Sequence, residues 1–170
     1  VIEPDVAFGL DASLVTIPWT FSDTSLDAIF GPQGDPNALQ LGQDYLAYRW
    51  DPVTAQYLPI VSARRGESIW IVALSDFGQR ALNGASLPAD VASGGQTTTL
   101  QPGWNMIGNP YPYAVPLSQL VGVGLTDPTN PLSWSQLVDN GWVSPSLAFW
   151  QRSPDNPTSG VYRFTTGQND

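Results

Sequence analysis

"LQPGWNMIGNPYP" at residues 100–112 has a counterpart earlier in the same chain, "GLDASLVTIPWT" at residues 9–20. Leu14-Val15-Thr16-Ile17 and Pro18 match Trp104-Asn105-Met106-Ile107 and Pro110, with two residues inserted before the second proline. Further along, "SLDAIFG" (25–31) matches "PLSQLVG" (116–122) at a constant offset of 91, so Leu26, Ile29 and Phe30 correspond to Leu117, Leu120 and Val121. Apolar residues at i, i+3 and i+4 behind a Ser or Pro predict a short amphipathic helix in each copy.

The next pair is "YLAYRWDPVTAQYLPI" (45–60) and "SLAFWQRSPDNPTSGVYRFT" (146–165). Leu46-Ala47-Tyr48 aligns with Leu147-Ala148-Phe149, and Tyr57 with Tyr162. Asp51-Pro52 in one copy and Pro154-Asp155-Asn156-Pro157 in the other are strong turn formers, so each stretch predicts a β-hairpin. The first copy continues into "RRGESIWIVAL" (64–74), a glycine followed by a β-prone strand carrying Trp70. The second reaches "TTGQND" (165–170) where the equivalent strand should begin, so it is expected to be one strand short. The chain therefore divides into a donor-like strand plus first repeat (1–74), a Gly/Ala/Ser-rich connector (75–99), and a second repeat lacking its last strand (100–170).

Composition agrees with this outline. Among 170 residues, 42% are hydrophobic, enough for a core, while 16 Gly and 16 Pro favour short strands joined by turns. Seven Trp, six Tyr and six Phe suit sheets better than helices. The expected fold is all-β, a β-sandwich or barrel-like arrangement of two sequence-related halves, each with one short helix.

The absent residue types restrict the chemistry. Cys, His and Lys do not occur, which removes disulfides, zinc sites built on His or Cys, thiol nucleophiles, histidine bases and Schiff-base chemistry. Fifteen acids against six bases, all Arg, give a net charge of -9, a poor match for nucleic acid or anionic membranes. No run of 18 apolar residues is present, so no membrane insertion is expected. "VIEPDVAFGL" starts without Met and lacks a basic segment ahead of an apolar one, as expected of a processed chain or of a piece of a longer one.

The pattern Gly-Trp-Asn-x-Ile-x-x-Pro, then a hairpin of the type Tyr-Arg-Trp-Asp-Pro…Tyr, then Gly-x-x-x-Trp, resembles a repeated β module of secreted bacterial surface proteins. The resemblance covers most of residues 10–74 and 97–165. It implies an extracellular or cell-surface location and a structural or adhesive role, and it carries over no catalytic residues.

Three kinds of candidate site follow. A sheet one strand short invites β-strand addition, and the N-terminal segment, with Val1, Ile2, Val6, Phe8 and Leu10, has the composition of a donor. Inserted into its own subunit it closes a monomer; inserted into another copy it makes a head-to-tail contact that propagates as a homopolymer. Trp134 and Trp142 fall in a stretch of the second repeat (121–142) unmatched in the first; with Trp50 they are candidates for stacking on glycans. Trp70 and Trp104, on the repeat pattern, are expected in the core. Catalytic carboxylates would come from Asp23, Asp27, Asp51 or Asp139, but each fits a cap or turn, and 13 of the 15 acids are Asp, as in turns. The expectation is therefore no enzyme, no metal and no cofactor. Asp127, Asn130, Asp155 and Asn156 offer oxygen ligands without an EF-hand spacing and read as solvated turns. Arg64-Arg65 is too small a basic patch for nucleic acid and is expected to pair with carboxylates.

Overall fold

The computed structural model describes residues 5–8, 12–31, 38–75, 78–81, 95–111, 113–153 and 160–165. The fold is all-β, with short strands in four sheets and two short α-helices. Its elements are β1 (Asp5–Phe8), β2 (Ala12–Thr16), α1 (Leu26–Phe30), β3 (Tyr45–Asp51), β4 (Gln56–Pro59), β5 (Ser68–Ala73) and β6 (Gly78–Ala81). They continue with a 3-10 turn (Leu117–Gln119), β7 (Val121–Gly124), β8 (Asp127–Ser133), α2 (Trp134–Asp139), β9 (Leu147–Arg152) and β10 (Gly160–Thr165). The chain separates into two compact units, Val1–Pro112 with Ser153–Ser159, and Tyr113–Arg152 with Gly160–Asp170. Residues 100–111, expected to open the second half, thus belong to the first unit.

The first unit is organised by an antiparallel sheet in the order β2-β5-β3-β4. Alternation along β5 puts Ile69, Ile71 and Ala73 on one face, beside Val15 of β2 and Tyr45 and Ala47 of β3, all buried. Leu26, Ile29 and Phe30 of α1 close over that face. α1 starts where the sequence signals it: Ser25 Oγ accepts the Ala28 amide at 3.3 Å, and Asp23 accepts the Ser25 amide at 2.8 Å. That amide holds the Asp23 carboxyl below its usual range. The helix stops at Gly31, where a Cβ would stand 2.6 Å from the Leu39 carbonyl oxygen.

Tyr45 is 1% exposed, and its hydroxyl has no hydrogen-bond partner among the described residues. Asp27, whose Oδ1 accepts the Leu41 amide at 3.0 Å, lies near enough for its charge to act on the phenol. Burial first, and the Asp27 and Asp44 charges after it, push the phenol well above its ordinary value. The unfolded chain ionises this phenol near pH 10 while the folded chain keeps it neutral, so stability is full below about pH 10 and falls above it. Tyr45→Phe is expected to stabilise the protein by about 1 kcal/mol at neutral pH, by removing an unpaired buried hydroxyl, and to flatten the alkaline decline. Urea melts at pH 7 and above pH 10 check both; a destabilised variant would mean that the hydroxyl has a partner after all.

The segment matched to β2 takes a different course. Trp104–Ile107 form no strand beyond one bridge, between Ile107 and Glu67. Their carbonyls are taken up by side chains of the first sheet: Trp50 Nε1 donates to the Trp104 oxygen at 2.6 Å, and Ser68 Oγ to the Ile107 oxygen at 3.1 Å. The Gly108 amide bonds the Gly66 carbonyl at 2.9 Å, and its Cα lies where a Cβ would strike Thr16, Glu67 and Ser68. A glycine is needed for that approach. Residues 104–108 thus lie along the outward face of the first sheet, opposite α1.

In the second unit, Gly122 and Gly124 of β7 seat Leu137 of α2 and Trp142 beyond it. A capping box sets α2: Ser133 Oγ accepts the Gln136 amide at 3.4 Å, and the Gln136 side chain accepts the Ser133 amide at 2.9 Å. Leu117 and Leu120 are half-buried and Val121 is exposed, whereas their counterparts Leu26, Ile29 and Phe30 are buried.

Candidate functional site

Leu137 is the one buried apolar side chain among the described residues of the second unit. A fold normally buries such side chains, at about 1.5–3 kcal/mol each. Here Val121, Val123, Leu125, Phe149, Val161 and Phe164 are all exposed, Leu125 by 90% and Phe164 by 67%.

The deficit centres on the β9–β10 hairpin, a two-stranded sheet. Its register pairs Leu147 with Thr165, Phe149 with Arg163, and Trp150 with Tyr162. Alternation places Leu147, Phe149 and Val161 on one face, and Trp150, Tyr162 and Phe164 on the other. Leu147, Phe149 and Val161 share their face with Gln151, Arg163 and Thr165, and Arg163 Nε donates to Gln151 Oε1 at 3.1 Å, so the hairpin is apolar mainly on the face of Trp150, Tyr162 and Phe164. The first unit offers a comparison: there β3 carries β4 on one side and β5 on the other, with Leu46, Ala47 and Tyr48 opposite Val72, Ile71 and Trp70. Among the described residues β9 pairs with β10 alone.

The two hairpins share a further feature. Trp50 faces Tyr57 edge-on at 5.1 Å between ring centroids, and Trp150 faces Tyr162 at 5.2 Å. Superposing these two ring pairs would set Trp50 against Trp150, one residue away from the sequence match of Leu46 with Leu147. Gly160 allows the second pair, because a Cβ there would strike the Trp150 ring.

Of the expected donor segment, Asp5–Phe8 form β1, antiparallel to β6, with Val6 opposite Arg80 and Phe8 opposite Gly78. Val1, Ile2 and Leu10 lie outside the described residues. β1 is thus engaged in its own chain, in a sheet of two strands. A two-stranded ladder is marginal in water by itself.

The candidate stacking residues do not form one platform. Trp134 begins α2 and is half-buried, while Trp142 lies beyond its far end, packed on Gly124 and 56% exposed. Trp50 belongs to the first unit. The expectation that Trp70 and Trp104 are core residues is corrected. Trp70 is half-buried on the outward face of β5, and Trp104 is 64% exposed, because its segment packs through backbone groups. Leaving about two thirds of an indole in water forgoes about 3 kcal/mol of burial.

The carboxylates serve local geometry. Asp51 accepts the Val53 amide at 3.0 Å and the Thr54 hydroxyl at 2.7 Å across the hairpin turn, and both hold its carboxyl below the usual range. Asp127 accepts the Thr129 hydroxyl at 3.0 Å, Asn130 is exposed on β8, and Asp139 ends α2. Asp155 and Asn156 lie outside the described residues. No group of three or more acids that could hold a metal occurs among those described. Nor is any described helix long and apolar enough to cross a membrane. Arg65 departs from the expected pairing with carboxylates: its Nε donates to the Pro110 carbonyl at 2.8 Å and its guanidinium lies over the Tyr111 ring. Glu67 is instead taken by Arg49, at 2.8 Å.

Comparison with family models, curated proteins and solved structures finds no match for the chain.

Proposed function

We propose that the protein is a non-enzymatic structural subunit of an extracellular surface fibre, built from two related β halves and joined copy to copy by β-strand addition. The observation that carries this reading is the scarcity of buried apolar side chains among the described residues of the second unit, with Phe149, Val161 and Phe164 of its hairpin exposed. The first unit supplies the pattern of completion, with β5 running antiparallel beside β3 and bringing Ile69 and Ile71 into the core. In the fibre, residues 1–10 of another copy take that position beside β9. Val6 and Phe8, with Val1, Ile2 and Leu10, supply the apolar contacts, and Pro4 limits pairing to the residues on one side of it.

In this reading the donor comes from a second copy. Such a contact is heterologous and does not close on itself. Leaving β6 costs little, since the β1–β6 ladder is only four pairs long. An extracellular place rests on the resemblance to secreted surface modules. Negative-stain microscopy of the concentrated full-length chain is expected to show fibres, with sedimentation giving a mass that grows with concentration. A chain that stays monomeric at every concentration contradicts the reading.

A further inference from the structure

Trp104 stands on a loop whose shape is fixed from within. The Asn105 side chain accepts the Gln101 amide at 2.9 Å and donates to the Gln101 and Gly103 carbonyls at 2.7 and 3.0 Å. Gly103 turns the chain at φ 96, a conformation that favours glycine, with open space around it. The Trp104 carbonyl is tied to the Trp50 indole, so the loop is anchored at both its base and its tip. Yet the indole of Trp104 itself faces solvent. Beside the anchor, Trp50 meets the half-exposed ring of Tyr57, and the hairpin turn is held by the two hydrogen bonds to Asp51.

We propose that Trp104, backed by Trp50 and Tyr57, is a stacking site for the hexose rings of a neutral polysaccharide. An exposed indole offers a flat apolar face that matches the C–H face of a pyranose, while hydroxyls at the ring edge stay in water or meet polar neighbours. Charge selects against the alternatives: a chain of net charge -9 repels phosphorylated or sulfated polymers. Arg49 and Arg65 are already committed to Glu67 and to Pro110. The pinned loop lowers the ordering cost of binding, because the indole is presented before the ligand arrives. This site lies wholly in the first unit and does not depend on strand exchange.

The test uses the full-length chain in affinity electrophoresis against soluble β-glucan, xylan and galactomannan, followed by calorimetry with matching oligosaccharides. At least one polymer is expected to retard the protein. Trp104→Ala is expected to weaken binding about tenfold or more, without changing the thermal melt, since the side chain faces solvent. Asn105→Ala, acting through the loop, should weaken binding less, and Trp142→Ala should leave it unchanged. Retardation by none of the polymers, or full retardation of the Trp104 variant, overturns the proposal. So does loss of binding in the Trp142 variant alone. A proline-rich peptide that quenches tryptophan fluorescence where the sugars do not would overturn it in favour of a peptide ligand.

Discussion

Ile69→Ala is expected to destabilise the protein by about 2–5 kcal/mol, whereas Phe164→Ala in the dilute chain should change its stability by no more than about 0.5 kcal/mol. Ile69 is fully buried on β5, the strand that joins β2 to β3, so truncation removes its transfer free energy and leaves a cavity the sheet cannot collapse around. Phe164 is the larger side chain, yet it stands mostly in water on β10 and has little burial to lose. Urea unfolding of both variants at low concentration measures the contrast. Equal losses would mean that the second unit has a core of its own.

The parts of the fold legible in sequence were those governed by short-range rules. Ser25 with Leu26, Ile29 and Phe30 specified α1, and Asp51-Pro52 and the proline-rich stretch at 154–157 lie between the paired strands of the two hairpins. α2 was also available, through the Ser133-x-x-Gln136 capping box and the closing Asn140-Gly141, but it falls in the stretch 121–142 that the repeat match does not cover. What pattern could not give was destination. Residues 104–107 match 14–17 in sequence, yet a strand position depends on a neighbouring ladder, and these residues met the outward face of an existing sheet instead. Trp104 was therefore misplaced in the core.

Deleting residues 1–10 is expected to abolish assembly while leaving the four-stranded sheet of the first unit folded. The described core around α1 and β5 is built from residues 15–73. Two buried anchors such as Val6 and Phe8, at about 1.5–3 kcal/mol each, correspond to a loss of roughly a hundredfold or more in association constant. Sedimentation velocity of the deleted chain should then give a single slow species where the full chain gives a distribution. A shortened chain that still polymerises assigns the contact to some other surface.

The most direct measurement is amide hydrogen exchange at Leu147–Arg152 as a function of protein concentration. If a strand from another copy completes the hairpin, protection of these amides rises as assembly proceeds, while protection of the central strand Ser68–Ala73 stays constant and high. Protection at Leu147–Arg152 that is already full in the dilute monomer, or that stays low in the concentrated chain, contradicts the account.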